Sequence, residues 1–237
     1  MNEQNIISKY VPNFITLLSL SSGFTSIRFS LNGELEIAIY LILLATIFDF
    51  FDGWFARKLK SKSNFGAELD SLSDFVSFGV APSFLIYLWS TNALGSLGWG
   101  ATLFFVICSA LRLARFTADI YITNRPIDDN EYFVGLPSPA AAGLILLPLF
   151  IYFEFDFDFL KNEYLNLVIT VIIGIMMISK IPTISLKKIQ INQRYKTWIF
   201  LIFVIVCVAL ISKIWLTLVL VLSLYLLSII YTVFKTR

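Results

Sequence analysis

Eight apolar stretches run along this chain at 12–31, 35–56, 68–90, 95–116, 136–153, 163–181, 197–212 and 214–234. Each is near the roughly 20 residues that a helix needs to cross a bilayer. Inside lipid every backbone N–H and C=O must be satisfied within its own segment, so stretches of this kind are expected to be helices. The predicted fold is an all-α polytopic membrane bundle of about eight spans. At 58% hydrophobic and 14% charged residues the chain is too apolar for a soluble domain. The first stretch is the weakest, interrupted by Ser, Thr and Arg28. The last two are the most uniformly apolar, and Lys213 with Trp215 marks a tight turn between them at a membrane interface. No repeat or low-complexity tract divides the sequence. It reads as one integral membrane domain, a six-helix core over 1–190 followed by a C-terminal helical hairpin over 191–237.

Charge placement predicts the orientation. With the N-terminus in the cytoplasm, all of the 18 Lys and Arg residues except Arg28, Lys161 and Lys213 fall at cytoplasmic ends. That bias satisfies the positive-inside rule with both termini inside, and it sends the acidic EFDFDF run (154–159) outside. The basic segment Lys187, Lys188, Arg194 and Lys196 reads as a solvated loop attracted to anionic headgroups. No cleavable signal peptide is expected, because residues 1–10 are polar and no clean small-residue site follows. Cys108 and Cys207 lie inside apolar stretches and are expected to be free. No nucleic-acid partner is expected.

Against this apolar background, four carboxylates stand in the order DxxDGxxARx8Gx3Dx3D between Asp49 and Asp74. One charged residue at a bilayer centre costs roughly 2.5 to 3.5 kcal/mol on insertion scales, so four acids at one membrane face need compensation. Asp49 and Asp52 are three apart and Asp70 and Asp74 four apart, which puts each pair on one face of its own helix. Two such helices facing one another offer a cage of hard oxygen ligands suited to magnesium, manganese or calcium. With no histidine and two cysteines the usual zinc arrangements are excluded. Gly53 lets backbone or substrate approach closely, Ala56 keeps that helix surface narrow, and Arg57 supplies the planar fork of donors best matched to phosphate. Singly, Asp70 or Asp74 could be a helix cap; all eight residues of the pattern at these intervals argue for a site. A divalent-cation transporter is the rival class, disfavoured because its acids would sit near the bilayer midplane.

Asp49, Asp52, Gly53, Ala56, Arg57, Gly66, Asp70 and Asp74 match every defined position of the CDP-alcohol phosphatidyltransferase signature, and the chain resembles that family. ELDSLSDFVSFGVAP (68–82), RLARF (112–116), GLPSPAAAG (135–143) and IPTISLK (181–187) resemble its phosphatidylserine synthase branch. Thr117 stands where that branch leads one to expect Asn. The resemblance implies transfer of a phosphatidyl group from CDP-diacylglycerol to the hydroxyl of L-serine, releasing CMP. It also implies a two-metal site of Mg2+ or Mn2+ on the four aspartates and a homodimer, in the cytoplasmic membrane with the active site facing the cytoplasm. Glycerol phosphate, inositol phosphate or choline is the alternative acceptor, and an ether-linked archaeal-type lipid the alternative donor.

Within that frame Asp74 is the candidate general base as well as a metal ligand. The resemblance assigns Gly53, Ala56, Arg57 and Gly66 to the CDP-lipid site. Asn13 and Thr16, in a PNxxT pattern, are either a helix start with Pro12 in its first turn or part of the same CDP site. Ser63 is a loop residue or a phosphate donor. Arg112 and Arg115, three apart, are either snorkelling anchors or the binding groups for serine's carboxylate or the lipid phosphate. GLPSPAAAG reads as a turn entering a helix whose small residues permit close packing. Direct attack by serine is expected rather than a covalent enzyme intermediate, since no serine has an evident activating partner.

Overall fold

The computed structural model describes residues 3–59, 63–123, 132–179, 182–184 and 193–235. The expectations placed on Lys60, Lys62, Arg125, Lys180, Lys187, Lys188 and Arg237 lie outside these residues. Nine α-helices are present among the described residues: α1 (Glu3–Leu31), α2 (Leu35–Lys58), α3 (Asn64–Asp74), α4 (Ala81–Trp89), α5 (Ser96–Thr123), α6 (Ser138–Phe155), α7 (Glu163–Ile178), α8 (Gln193–Ser212) and α9 (Ile214–Lys235). Two short strands, β1 (Tyr132–Val134) and β2 (Pro182–Ile184), pair antiparallel with Phe133 opposite Thr183.

Among the described residues each apolar stretch of the sequence carries a helix, with one departure in form. The stretch expected as one helix over 68–90 starts earlier, at Asn64, and passes through a π-helical turn (Phe75–Val80) between α3 and α4. Among the described residues, five helical segments are long and apolar enough to cross a membrane by themselves: Tyr10–Leu31, Asn64–Trp89, Ser96–Ala118, Ser138–Phe155 and Ile214–Thr232. Glu163–Ile178 is shorter and apolar. The chain is a polytopic helical membrane bundle. Pro12 does not open a helix: α1 is already helical at Glu3, so the proline lies in its interior. The expectation of a first-turn proline is corrected accordingly.

Helix ends follow local chemistry. Gly33, at φ 80°, makes the left-handed turn between α1 and α2. Asn162 caps α7, its side-chain oxygen accepting from the N–H groups of Tyr164 and Leu165 at 3.0 and 3.1 Å. Asp156, at φ 57°, ends α6 in the left-handed region.

The apolar core is built from α2, α4, α5, α6 and α7, with Ile39, Leu85, Phe105, Leu149 and Met177 fully buried. α9 joins it through buried Ile229 and partly buried Trp215, Leu222 and Tyr225. Gly143 on α6 permits that contact, because a Cβ there would meet Leu222 Cδ2 at 2.8 Å. One end of the bundle carries aromatic pairs: Tyr40 stacks on Trp215 at 5.6 Å, and Trp89 lies 5.7 Å from Tyr152. Amphipathic rings at one level are what a membrane interface selects. The four aspartates are at the opposite end.

α1 explains its own weak hydropathy. Thr16, Ser19, Ser22, Ser26 and Ser30 are buried at three- and four-residue spacing, a stripe of small polar residues on one helix face. Ser19 Oγ donates to Ala45 O at 2.9 Å, tying α1 to α2. Ser73 Oγ donates to Thr16 O and Ser77 Oγ to Ser19 O, each at 3.2 Å, tying α1 to α3 and the π-turn.

Candidate active site

α2 delivers Asp49 and Asp52 near its C-terminal end, and α3 delivers Asp70 and Asp74. The N-terminus of α3 is capped by Ser63, whose Oγ accepts from the Gly66 N–H at 3.0 Å. With that role taken by Ser63, neither Asp70 nor Asp74 is an N-cap of α3, and both carboxylates are free to face α2. Ser63, expected as a loop residue or a phosphate donor, is thus the N-cap of α3, a role that neither reading named.

Three of the four acids converge. Carboxylate oxygens of Asp49, Asp70 and Asp74 all lie within 4.8 Å of one another. At such separation two carboxylate charges repel by on the order of 3 kcal/mol at an effective dielectric constant of 20. Asp74 Oδ1 is buried and has no hydrogen-bond partner. Hard oxygen donors bind magnesium at about 2.1 Å and calcium at about 2.3 to 2.6 Å, so oxygens around one ion lie roughly 3 to 5 Å apart. The trio matches that span, and the orphaned oxygen has the lone pairs such an ion would take. The residues present fit a divalent cation.

Asp52 is held differently. It is 5% exposed, and its Oδ2 accepts from Thr16 Oγ1 at 2.6 Å. Thr16 Oγ1 also lies 3.0 Å from Pro12 O, so α1 steers this carboxylate from the side. Asn13, one turn earlier, approaches the start of α3: a Cβ on Gly66 would stand 3.1 Å from Asn13 Oδ1 and 3.2 Å from Ser63 Oγ. Glycine at 66 thus keeps open the junction of α1 and α3. On α2 a Cβ at Gly53 would meet only Arg57 Nη1, at 3.5 Å, so Gly53 leaves a recess that the exposed Arg57 fork borders. Ala56 is half-buried on the same helix.

The two arginines of α5 part company. Arg112 Nη1 donates to Ser138 Oγ at 2.6 Å, and the guanidinium lies in electrostatic range of Asp74. Its Nε is buried without a partner. Arg115 Nη1 donates to Ile178 O at 3.2 Å, serving the last carbonyls of α7. Thr117 Oγ1 lies 3.0 Å from Ser71 Oγ and links α5 to α3.

Replacing Thr16 by Val should lower kcat/KM by about tenfold, because a buried acceptor that loses its donor costs about 1 to 3 kcal/mol. Thr16→Ser should restore most of it. Equal activity of Thr16→Val and wild type in steady-state assays would take Thr16 out of the site.

The fold and the site together define a helical integral membrane protein with a carboxylate centre fit for a divalent cation at one end of its bundle. The chain belongs to the CDP-alcohol phosphatidyltransferase family, whose model matches residues 9–179. Among curated relatives it is 43% identical over 143 residues to the CDP-diacylglycerol–serine O-phosphatidyltransferase of Mycobacterium leprae, covering 59% of this chain and 47% of that protein. It is 35% identical over 183 residues to the protein of the same name in Helicobacter pylori, covering 77% and 75%. It is 40% identical over 151 residues to the archaetidylserine synthase of Methanothermobacter thermautotrophicus, covering 60% and 59%. The chain spans about half the length of the mycobacterial relatives it matches.

Proposed function

We propose that this chain transfers the phosphatidyl group of CDP-diacylglycerol to the hydroxyl of L-serine, releasing CMP. The observation that carries the reading is the convergence of Asp49, Asp70 and Asp74 within 4.8 Å beside the Gly53 recess and the Arg57 fork. Relatives named for serine transfer support the acceptor. Mg2+ or Mn2+ is the proposed cofactor, held by Asp49, Asp70 and Asp74, with Asp52 available to a second ion. When bound, it supplies neutralisation of the diphosphate charge. Arg57 orients the diphosphate with paired donors, and Asn13, Thr16, Ser63 and Gly66 shape the nucleotide end of the site.

The serine oxygen forms its new bond to the phosphatidyl phosphorus as the phosphoanhydride P–O bond breaks. CMP leaves with that electron pair, and the serine proton passes to Asp74. A carboxylate within hydrogen-bond reach is the base that a weakly nucleophilic hydroxyl requires. Lys and Arg asymmetry supports a site facing the cytoplasm, where nucleotide-activated substrate is found. The family match, ending at residue 179, supports a catalytic core over 1–190 with the hairpin 191–237 added to it. A homodimer rests on family resemblance. The archaetidylserine synthase relative favours an ether-linked lipid as the second reading of the donor.

The test is an assay of purified protein in nanodiscs with CDP-diacylglycerol, manganese or magnesium, and serine, glycerol 3-phosphate, inositol phosphate or choline in turn. Serine-dependent CMP release with a phosphatidylserine product is expected. A product from another alcohol alone would overturn the acceptor. Arg112→Lys keeps charge and loses the fork, so it should raise the serine KM by about tenfold or more while leaving the CDP-lipid KM in place. A rise in the CDP-lipid constant instead would assign Arg112 to the lipid phosphate.

A further inference from the structure

Tyr225 belongs to α9, beyond the residues that match the family model. Its ring packs on the core, yet its hydroxyl is buried with no hydrogen-bond partner. Arg112 is within electrostatic range of both Tyr225 and Asp74. Three buried polar atoms in this one neighbourhood therefore stand unpaired: Asp74 Oδ1, Arg112 Nε and Tyr225 Oη. A buried polar atom without a partner costs about 1 to 3 kcal/mol, and such atoms gathered together suit a polar ligand that pairs with them. Their chemistry is divided. Arg112 Nε–H and Tyr225 O–H are donors, whereas Asp74 offers an acceptor.

A ligand that satisfies the donor pair presents a carboxylate to it, and a hydroxyl on that ligand falls to Asp74, the proposed base. We infer that Tyr225, together with Arg112, forms the subsite for the carboxylate of an amino-acid acceptor. This rests on the proposed serine reading and deepens it. α9 then confers acceptor selectivity on a core whose metal and nucleotide residues all lie in α1, α2 and α3 and the segments flanking them. The geometry of α9 supports the assignment: α9 runs antiparallel to α6, with Trp215 beside Phe150 and Leu222 against Gly143, so one turn past Leu222 the chain comes toward the Ser138 end of α6, where Arg112 donates to Ser138.

The experiment is Tyr225→Phe, which keeps the packed ring and removes an oxygen that makes no bond in the structure. The serine KM should rise about tenfold, as expected for one lost hydrogen bond to a charged group, with the CDP-lipid KM unchanged and the thermal midpoint of the ligand-free protein held or raised. Wild type should prefer serine over serine methyl ester, and Tyr225→Phe should erode that preference, a readout that loss of packing alone would not move. An unchanged serine KM, a parallel rise in both constants or an intact preference overturns the inference. So does wild-type protein that uses serine and its methyl ester equally well, a result that needs no variant. Failure of the serine reading itself is distinct, because wild type would then not convert serine at all.

Discussion

Asp49→Asn, Asp70→Asn and Asp74→Asn should each lower transfer by about a thousandfold or more while the proteins insert and fold as wild type. The amide is isosteric, so packing survives. It carries neither the charge a divalent cation requires nor the basicity a proton acceptor requires, and general-base loss alone costs roughly 10²- to 10⁴-fold. Mutual repulsion among the three carboxylates also falls, so thermal stability without cation should hold or rise. Chelation should silence the wild type reversibly. Asp74→Asn should separate from the other two by retaining CDP-lipid binding while losing turnover; equal loss of affinity in all three would make Asp74 a ligand only. Asp52→Asn is a cleaner probe of charge, since its amide oxygen can still accept from Thr16 Oγ1. Substantial activity in Asp49→Asn, Asp70→Asn or Asp74→Asn would remove that residue from the mechanism.

Why three acids converge and the fourth turns aside follows from helix geometry that spacing alone only partly fixes. Residues three apart differ by about 60° around an α-helix axis and residues four apart by about 40°. Asp70 and Asp74 can therefore aim at one point together more readily than Asp49 and Asp52. The sequence announced that each pair shares a face. Which member of the α2 pair looks at α3 depends on how α2 is rotated in the bundle, and long-range contacts such as Ser19 to Ala45 O set that rotation. The same limit applies to Arg112 and Arg115. Their spacing suggested a shared anion site, yet one donates to Ser138 within electrostatic range of Asp74 and the other donates to a carbonyl of α7.

Other features had weaker signals. A hydropathy scan penalises hydroxyls, so α1 read as the poorest span although its Ser and Thr stripe is what lets it nest against α2 and α3. Tyr225 had none, being one aromatic among 10 tyrosines in an apolar helix. The π-turn after Asp74 was equally hidden, because FVSFGV has no residue that demands an extra backbone step. Its effect is local and physical. A π-helical turn shifts the helix face relative to a straight α-helix, which lets Asp74 face α2 while Ser77 and Gly79 are buried just beyond it.

That close packing gives Gly23→Leu a large expected effect on assembly. A Cβ at Gly23 would fall 2.6 Å from Ser77 Cα and 2.7 Å from Ser77 Cβ, distances that real Cβ atoms do not show. The obstacle includes backbone, so no rotamer change relieves it. Ser77 is fully buried and its hydroxyl is bonded to Ser19 O, so the π-turn has nowhere to retreat and α1 must move instead. Overpacking of this kind costs about 1 to 3 kcal/mol or more, which for a protein of this size lowers the melting midpoint by roughly 5 °C or more. Activity should fall further than stability, because displacing α1 draws Thr16 away from Asp52 and breaks the Ser73 contact to Thr16 O. Gly23→Ala should move both quantities in the same direction by less. Gly100→Ala is the control, since nothing lies within 4 Å of a Cβ there. A Gly23→Leu protein that melts and turns over like wild type would show that α1 is not clamped by the π-turn, and the positioning of Asp52 through Thr16 would lose its structural basis.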